Sequence, residues 1–201
     1  MKIICVGRNY VKHIEELGNS IPDEPVIFMK PKSALQAPNA NFWYPSFSNE
    51  LHYEAELVLR ICKNGKNISK KNAHHYIDKI TVGLDFTARD IQQQLKEKGL
   101  PWEKAKAWDN SASIGEWKDF SKYKNPVHFQ LFMNDVLVQD GNSSHMMYDF
   151  ATIVSHVSEY FSLNIGDLIF TGTPSGVGEC VIGDVLTGIL ENEKVFELEI
   201  K

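Results

Sequence analysis

Glu54 and Glu56 stand two residues apart in the stretch HYEAELVLRI, residues 52–61. Tyr53, Ala55, Leu57, Leu59 and Ile61 alternate with more polar neighbours, which predicts a β-strand over 54–61. A strand sends residues i and i+2 to one face. Both carboxylates therefore point the same way, and they repel. Two readings account for them. A solvated outer face, running His52, Glu54, Glu56, Val58, Arg60, tolerates two glutamates at little cost. A divalent cation instead removes the repulsion and takes the pair as hard oxygen ligands. Asp85, at the end of an apolar run in TVGLDFTARD, is a third acid in an unexpected place; the alternative is an extra capping acid ahead of Thr87. Three oxygen ligands without a Cys or His set point to Mg2+, Mn2+ or Ca2+ rather than zinc.

His13 and Glu16, in GRNYVKHIEELG, share a helix face at i and i+3. A carboxylate beside an imidazole raises its basicity and fixes its tautomer, which suits a general base on water or on a C–H acid. Lys12 and Glu15 beside them equally allow an exposed polar face. The segment TGTPSGVG, residues 171–178, has the glycines to approach a ligand closely and offer N–H groups to an anion. It lacks the Gly-Lys-Ser/Thr ending of a P-loop, and a tight connection between strands explains it as well. Lys30, Lys106, Arg8 and Arg89 lie among apolar or small residues. Such lysines usually pack their stems on a surface, and become informative only if an anionic ligand shares their pocket.

These residues need elements to hold them. Residues 2–6 predict a short buried strand, 11–18 one or two helical turns ended by Gly18, and 25–30 a second strand. A strand over 78–86 leads to Thr87, which resembles an N-cap with Asp90 three residues on, and then a helix to about Lys98 before Gly99 and Pro101. VHFQLFMNDVLVQDG predicts a hairpin turning at Asn134-Asp135. Asp149 caps a helix through Phe161, with Phe150, Ile153, Val154, Val157 and Phe161 on one stripe. The tail returns to strands at DLIFTGT, DVLTGIL and KVFELEI, the first two opened by Gly-Asp turns. Strands outnumber helices and hairpins outnumber βαβ units. The fold class expected is α+β, with largely antiparallel or mixed sheets and a few peripheral helices, not a doubly wound nucleotide fold.

The 201 residues suffice for one large domain with a substantial core. A net charge of −5 gives no support to nucleic-acid binding. No window approaches the roughly 20 apolar residues of a membrane span, and the apolar start is too short for a secretory signal. Cys5, Cys62 and Cys180 form no CxxC pair and suggest buried free thiols in a reducing cytoplasm.

In order and spacing, CVGRNYVKHIEELG, EPVIFMKP, HYEAELVLRI, GLDFTARDIQ, KGLPWEKAKAWD and GDLIFTGTPSGVG resemble the fumarylacetoacetate hydrolase family. The closest likeness is to its short acylpyruvase and oxaloacetate-decarboxylase-like branch. The resemblance covers nearly the whole chain and implies one catalytic domain over 1–201, a rolled, mostly β architecture with peripheral helices, and a homodimer. It implies Glu54, Glu56 and Asp85 as ligands of Mg2+ or Mn2+, with Ca2+ as a substitute. It further implies a His13–Glu16 dyad on a lid segment and Lys106 near the metal, with Arg8, Lys30, Arg89, Gln92 and Thr173 holding a small anionic 2-oxo acid. Asn9 and Tyr10 complete the opening GRNY motif. The implied chemistry is C–C hydrolysis of acylpyruvates or decarboxylation of oxaloacetate through a pyruvate enolate on the metal. Isomerisation or tautomerisation of 2-hydroxymuconate-type diacids is the alternative. Two departures stand out: AWDNSASIGEW has Ser113 and Glu116 where the family pattern has prolines, which is expected to reshape a pocket wall.

Overall fold

The computed structural model describes residues 1–16, 18, 20–37, 40–123 and 126–201. The chain opens with β1 (Ile3–Gly7), α1 (Val11–Glu16) and β2 (Val26–Lys30). The predicted helical turns are described through Glu16; Leu17 lies outside the described residues, and Gly18, the expected terminator, takes φ +62°. The strand predicted around the two glutamates is divided. β3 (Leu51–Tyr53) and β4 (Ala55–Ile61) belong to different sheets, and Glu54 sits at the break between them. Next come β5 (Ile77–Asp85), β6 (Thr87–Ala88), α2 (Arg89–Glu97), α3 (Glu103–Lys106), β7 (Ala112–Ile114) and β8 (Lys118–Asp119). Thr87 does not cap α2. It is held in β6, Ala88 takes the cap position, and Asp90 instead accepts from Ser48 Oγ and the Asn49 N–H.

β9 (His128–Met133) and β10 (Val136–Asn142) form the predicted hairpin, and Asn134 and Asp135 both take positive φ, 50° and 63°. That is the backbone twist a two-residue hairpin turn requires. α4 (Phe150–Tyr160) begins at Asp149, whose carboxylate accepts from the Thr152 N–H at 2.7 Å. It buries Phe150, Ile153, Val154 and Val157 on one stripe, as its spacing predicts. β11 (Leu168–Phe170), β12 (Gly178–Glu179), β13 (Val185–Leu190) and β14 (Glu193–Glu199) complete the chain. The strand predicted over 167–173 stops at Phe170, so Thr171–Thr173 leave the ladder.

The main sheet runs β2-β1-β11-β4-β5-β7, with β8 also paired to β5. A second sheet runs β10-β9-β13-β14 and a third β12-β3-β6. β1 and β11 are parallel, while the other pairs of the main sheet are antiparallel, so the architecture is the expected α+β with mixed sheets and peripheral helices. Both faces of β4 are covered. Leu57, Leu59 and Ile61 join the main core with Phe129, Leu131, Ile153 and Val154, and Val58 joins a smaller cluster with Ile3, Cys5 and Phe170. Burial of each such side chain contributes about 1.5–3 kcal/mol. The carboxylates therefore sit beside packed side chains, not on a wet outer face.

This topology decides where the site falls. β4 runs antiparallel to both β5 and β11, so its start meets their ends. β1 runs parallel to β11 and ends on the same side. Glu54, Glu56, Asp85, Gly172 and the α1 segment are thereby collected at one rim of the sheet.

Candidate metal centre and cleft

Glu54, Glu56 and Asp85 are 5%, 2% and 0% exposed, which removes the solvated-face reading. One carboxylate oxygen from each lies within 4.8 Å of the others, and this is the one such group of three among the described residues. Each acid has a different support. Glu54 accepts from Arg89 Nη2 at 2.6 Å and from Lys106 Nζ at 2.7 Å. Glu56 accepts from the Gly172 N–H at 2.7 Å. Asp85 accepts from Lys106 Nζ at 2.9 Å. Lys30 Nζ lies 2.8 Å from Asp85 Oδ1 but outside hydrogen-bonding angles, so that buried oxygen has a charge beside it and no aligned donor. Hard, buried carboxylate oxygens with unused lone pairs are the donor set a divalent cation takes.

The electrostatics divide the acids. Burial acts to raise Glu54, but Lys106, Arg89 and His13 outweigh it and hold it well below the usual carboxylate range. Glu56 is pushed well above that range by burial and by the charges of Asp85 and Glu54. Burial also opposes the charge on Lys106, yet Asp85 and Glu54 prevail and raise it above an ordinary lysine. The triad thus lacks a counter-charge at Glu56, which is where an added cation has most to gain.

The sequence suggested surface stems for Lys30 and Lys106; both are buried instead. Lys106 lines the cleft with its ammonium 5.4 Å from the Phe28 ring centre. Lys30 stands behind Asp85, donating to the Lys106 carbonyl and to Ser111 Oγ at 3.0 Å, and is not among the lining residues. Arg8, His13, Arg89, Gln92 and Thr173 all line the cleft with the three acids. Thr173 is turned toward the strand below, donating to the Ala55 carbonyl at 2.8 Å while accepting from Gln139 Nε2 at 2.8 Å.

His13 Nδ1 lies 3.2 Å from Glu16 Oε2, so Glu16 rather than Glu15 is its partner. Burial lowers His13 below the ordinary imidazole value, against the pull of Glu54 and Glu16. With Nδ1 engaged, Nε2 is the nitrogen left to exchange a proton. Glu16 also accepts from the Gly176 N–H at 3.0 Å, which docks α1 on the glycine-rich segment. That segment is more than a strand connection, since Gly172 and Gly176 each spend an N–H on a site carboxylate. The Asn9 amide ties it to the GRNY turn, donating to the Thr171 carbonyl at 2.8 Å.

Ser113 and Glu116 line a separate groove with Val195–Glu199, so these departures from the family pattern reshape no wall of this cleft. The remaining thiols are free; Cys5 and Cys180 are buried as expected, whereas Cys62 is only half-buried. Sequence reasoning passed over His52, Gln139 and Lys96. His52 Nδ1 accepts from Arg89 Nε at 3.3 Å, Gln139 braces Ala55 and Thr173, and Lys96 lines the cleft. For Lys96 a signal was present: Arg89, Gln92 and Lys96 recur at i, i+3 and i+7, one face of α2.

Three buried acids braced by lysines stand at the rim of rolled mixed sheets, facing a His–Glu pair, and could hold a metal ion. The family model for the fumarylacetoacetate (FAA) hydrolase C-terminal domain matches residues 2–201, and the chain belongs to that family. It is 40% identical over 187 residues to oxaloacetate tautomerase fahd-1 of Caenorhabditis elegans, covering 92% of this chain and 87% of the relative. It is 40% identical over 188 residues to an oxaloacetate decarboxylase of Dictyostelium discoideum, covering 92% and 86%. Fumarylpyruvate hydrolase from Pseudomonas aeruginosa, solved with Mn2+ and pyruvate, superposes with a TM-score of 0.93 at 34% identity, covering all of this chain and 89% of that one. Among the described residues no helix is long and apolar enough to cross a membrane.

Proposed function

We propose that this chain is a divalent-metal-dependent enzyme of small 2-oxo acids, and that its reaction is the keto–enol interconversion of oxaloacetate. The observation that carries the reading is the shared cleft. A proton-moving pair, His13–Glu16, faces a cation-binding acid triad across it, with Arg89 and Gln92 beside them. Glu54, Glu56 and Asp85 would hold Mg2+ or Mn2+, and the ion supplies the Lewis acidity that steadies charge on a keto oxygen.

The chain's own residues do the rest. Arg89 and Gln92 orient the acid. Nε2 of neutral His13 takes a proton from the carbon next to the ketone and the resulting imidazolium hands it to the keto oxygen, giving the enol; in the reverse direction the ring takes the enol O–H proton and returns it to that carbon. Glu16 holds the Nδ1–H and steadies the imidazolium. α1, docked on Gly176, screens the exchange from water. Oxaloacetate is favoured because relatives covering nearly the whole chain carry that substrate in their names. The likeness to fumarylpyruvate hydrolase favours a second reading, in which the same imidazole activates water for C–C cleavage of an acylpyruvate. Isomerisation of 2-hydroxymuconate-type diacids would draw on the same proton transfer.

The test is a chelator-stripped enzyme given enol-oxaloacetate, with enol absorbance followed before and after Mg2+. Decay accelerated only with Mg2+, and slowed again in His13→Gln, is expected. Decay at the uncatalysed rate with metal bound would sink the reading. Pyruvate release from acetylpyruvate under the same conditions would move it to the hydrolase.

A further inference from the structure

The cleft adjoins a second space that the proposed reaction does not use. A largely apolar pocket of about 300 Å3 lies between β2, at the edge of the main sheet, and the segment leading into α3; the cleft itself offers about 50 Å3. Phe28, Trp102 and Lys106 line both, so the two spaces share a wall. The helical turn of α3 explains this. Trp102 and Lys106 stand at i and i+4, and the Lys106 N–H donates to the Trp102 carbonyl at 3.0 Å. Side chains at that spacing lie on one face, so the turn that delivers the Lys106 ammonium to Glu54 and Asp85 brings the indole to the same side. Phe28 meets that indole edge-on, with ring centres 5.9 Å apart. Of the residues lining the pocket only Glu103 and Lys106 carry charge, and Lys106 spends its charge on the two acids. A concave apolar wall beside a charged site is the usual seat of the apolar part of a ligand.

Gly7 marks the junction. It ends β1 and lines the cleft. Its backbone is not in the left-handed region. A Cβ there would meet side-chain atoms of Val26, Phe28 and Trp102, each at 3.9 Å, which is ordinary contact. Neither the backbone nor crowding therefore calls for glycine. A strand glycine of this kind marks a place where a ligand comes close. The side chain that Gly7 lacks would stand where the cleft meets three walls of the apolar pocket.

We infer that this pocket is a subsite for an unbranched apolar tail on a 2-oxo acid, reached past Gly7, and that it sets a preference for longer-tailed acids over pyruvate. The 2-oxo acid end stays at the metal centre with Arg89 and Gln92, and the tail lies against Val26, Phe28, Trp102 and Leu100. The inference rests on the reading of the cleft as a divalent-metal site for 2-oxo acids, not on which reaction follows.

The experiment compares 2-oxohexanoate with pyruvate, which differ by three methylenes, by calorimetric titration into Mn2+-loaded full-length protein. Wild type is expected to bind 2-oxohexanoate about tenfold or more tighter, since each fully buried methylene brings up to about fourfold. Gly7→Val suits a strand and fills the junction, and should remove most of that preference. Leu100 is 48% exposed, so Leu100→Asp spares the core while putting a charge on the far wall, and should lower the preference as well. Equal affinity of wild type for the two acids, or a preference unchanged in both variants, would overturn the inference. Absence of Mn2+-dependent binding of either acid to wild type would instead overturn the functional reading on which it stands.

Discussion

In the proposed reaction His13 is the residue on which proton transfer would depend, and burial is what would fit it to the task. A free imidazole titrates near 6.5; burial carries His13 below that value despite Glu54 and Glu16. The folded chain therefore keeps a neutral, proton-accepting ring where an exposed one would begin to charge. Turnover is expected to hold as pH falls past 6.5 and to drop only through the lowered value, in a pH–kcat profile of the Mg2+-loaded enzyme. An acid limb centred at or above 6.5 would show that burial does not govern this ring. The sign for stability follows. Below 6.5 the unfolded chain binds a proton that folded His13 refuses, so this residue's contribution is complete above that value and is lost as pH falls through and below it. Exchange for Gln should cost roughly 10²–10⁴ in turnover, the usual weight of general base catalysis.

The glycine-rich segment shows how an element carries a site without supplying its chemistry. Gly172 takes φ +101°, and a Cβ there would meet Asn9 Cβ at 2.7 Å and the Val6 carbonyl at 3.1 Å. Its N–H holds Glu56. Gly172→Ala combines strain with a forced shift and should destabilise by roughly 1–3 kcal/mol. It should also weaken Mn2+ binding as Glu56 loses its donor. Gly166 is the control, since it shares a positive φ, +87°, with nothing within 4 Å of an added Cβ. Gly166→Ala should lower the melting temperature and leave the Mn2+ titration alone. Equal metal binding in both variants would show that the segment does not position the ligand.

For the molecule as a whole, a triad that holds a metal ion, as proposed, would link folding to metal. Burial and two neighbouring charges push Glu56 well above the usual carboxylate range, so the metal-free chain folds against that group as pH rises through its raised value. An ion at a hundredfold excess over its Kd stabilises the fold by about 2.7 kcal/mol. For a chain of this size that is roughly 5–10 °C in melting temperature. Chelation should remove this gain and Mg2+ or Mn2+ restore it. Glu56→Gln should melt at or above metal-free wild type near neutral pH, and show no shift with either ion. A full metal shift in the variant would take Glu56 out of the ligand set.

The sequence by itself carried the types of chemistry and most local structure. The Glu54/Glu56 alternation, the His13–Glu16 spacing, the Asn134-Asp135 turn and the Asp149 cap are set by neighbours within a few positions, and such short-range preferences survive in the folded chain. Thr87 is the exception that shows the limit: its capping signature gave way because β6 pairs with β3, a contact no local pattern reveals. The break at Glu54 has the same origin, since its two flanking segments are claimed by different sheets. Only the tertiary structure could bury the acids, bring Lys106 between Glu54 and Asp85, and set Lys30 behind them. Those residues are far apart in sequence, and the antiparallel run of β4 against β5 and β11 brings their ends together. Burial is a property of what the rest of the chain lays over a residue, and it is burial that takes three carboxylates out of water and lowers the histidine, the setting that the proposed metal site and base require.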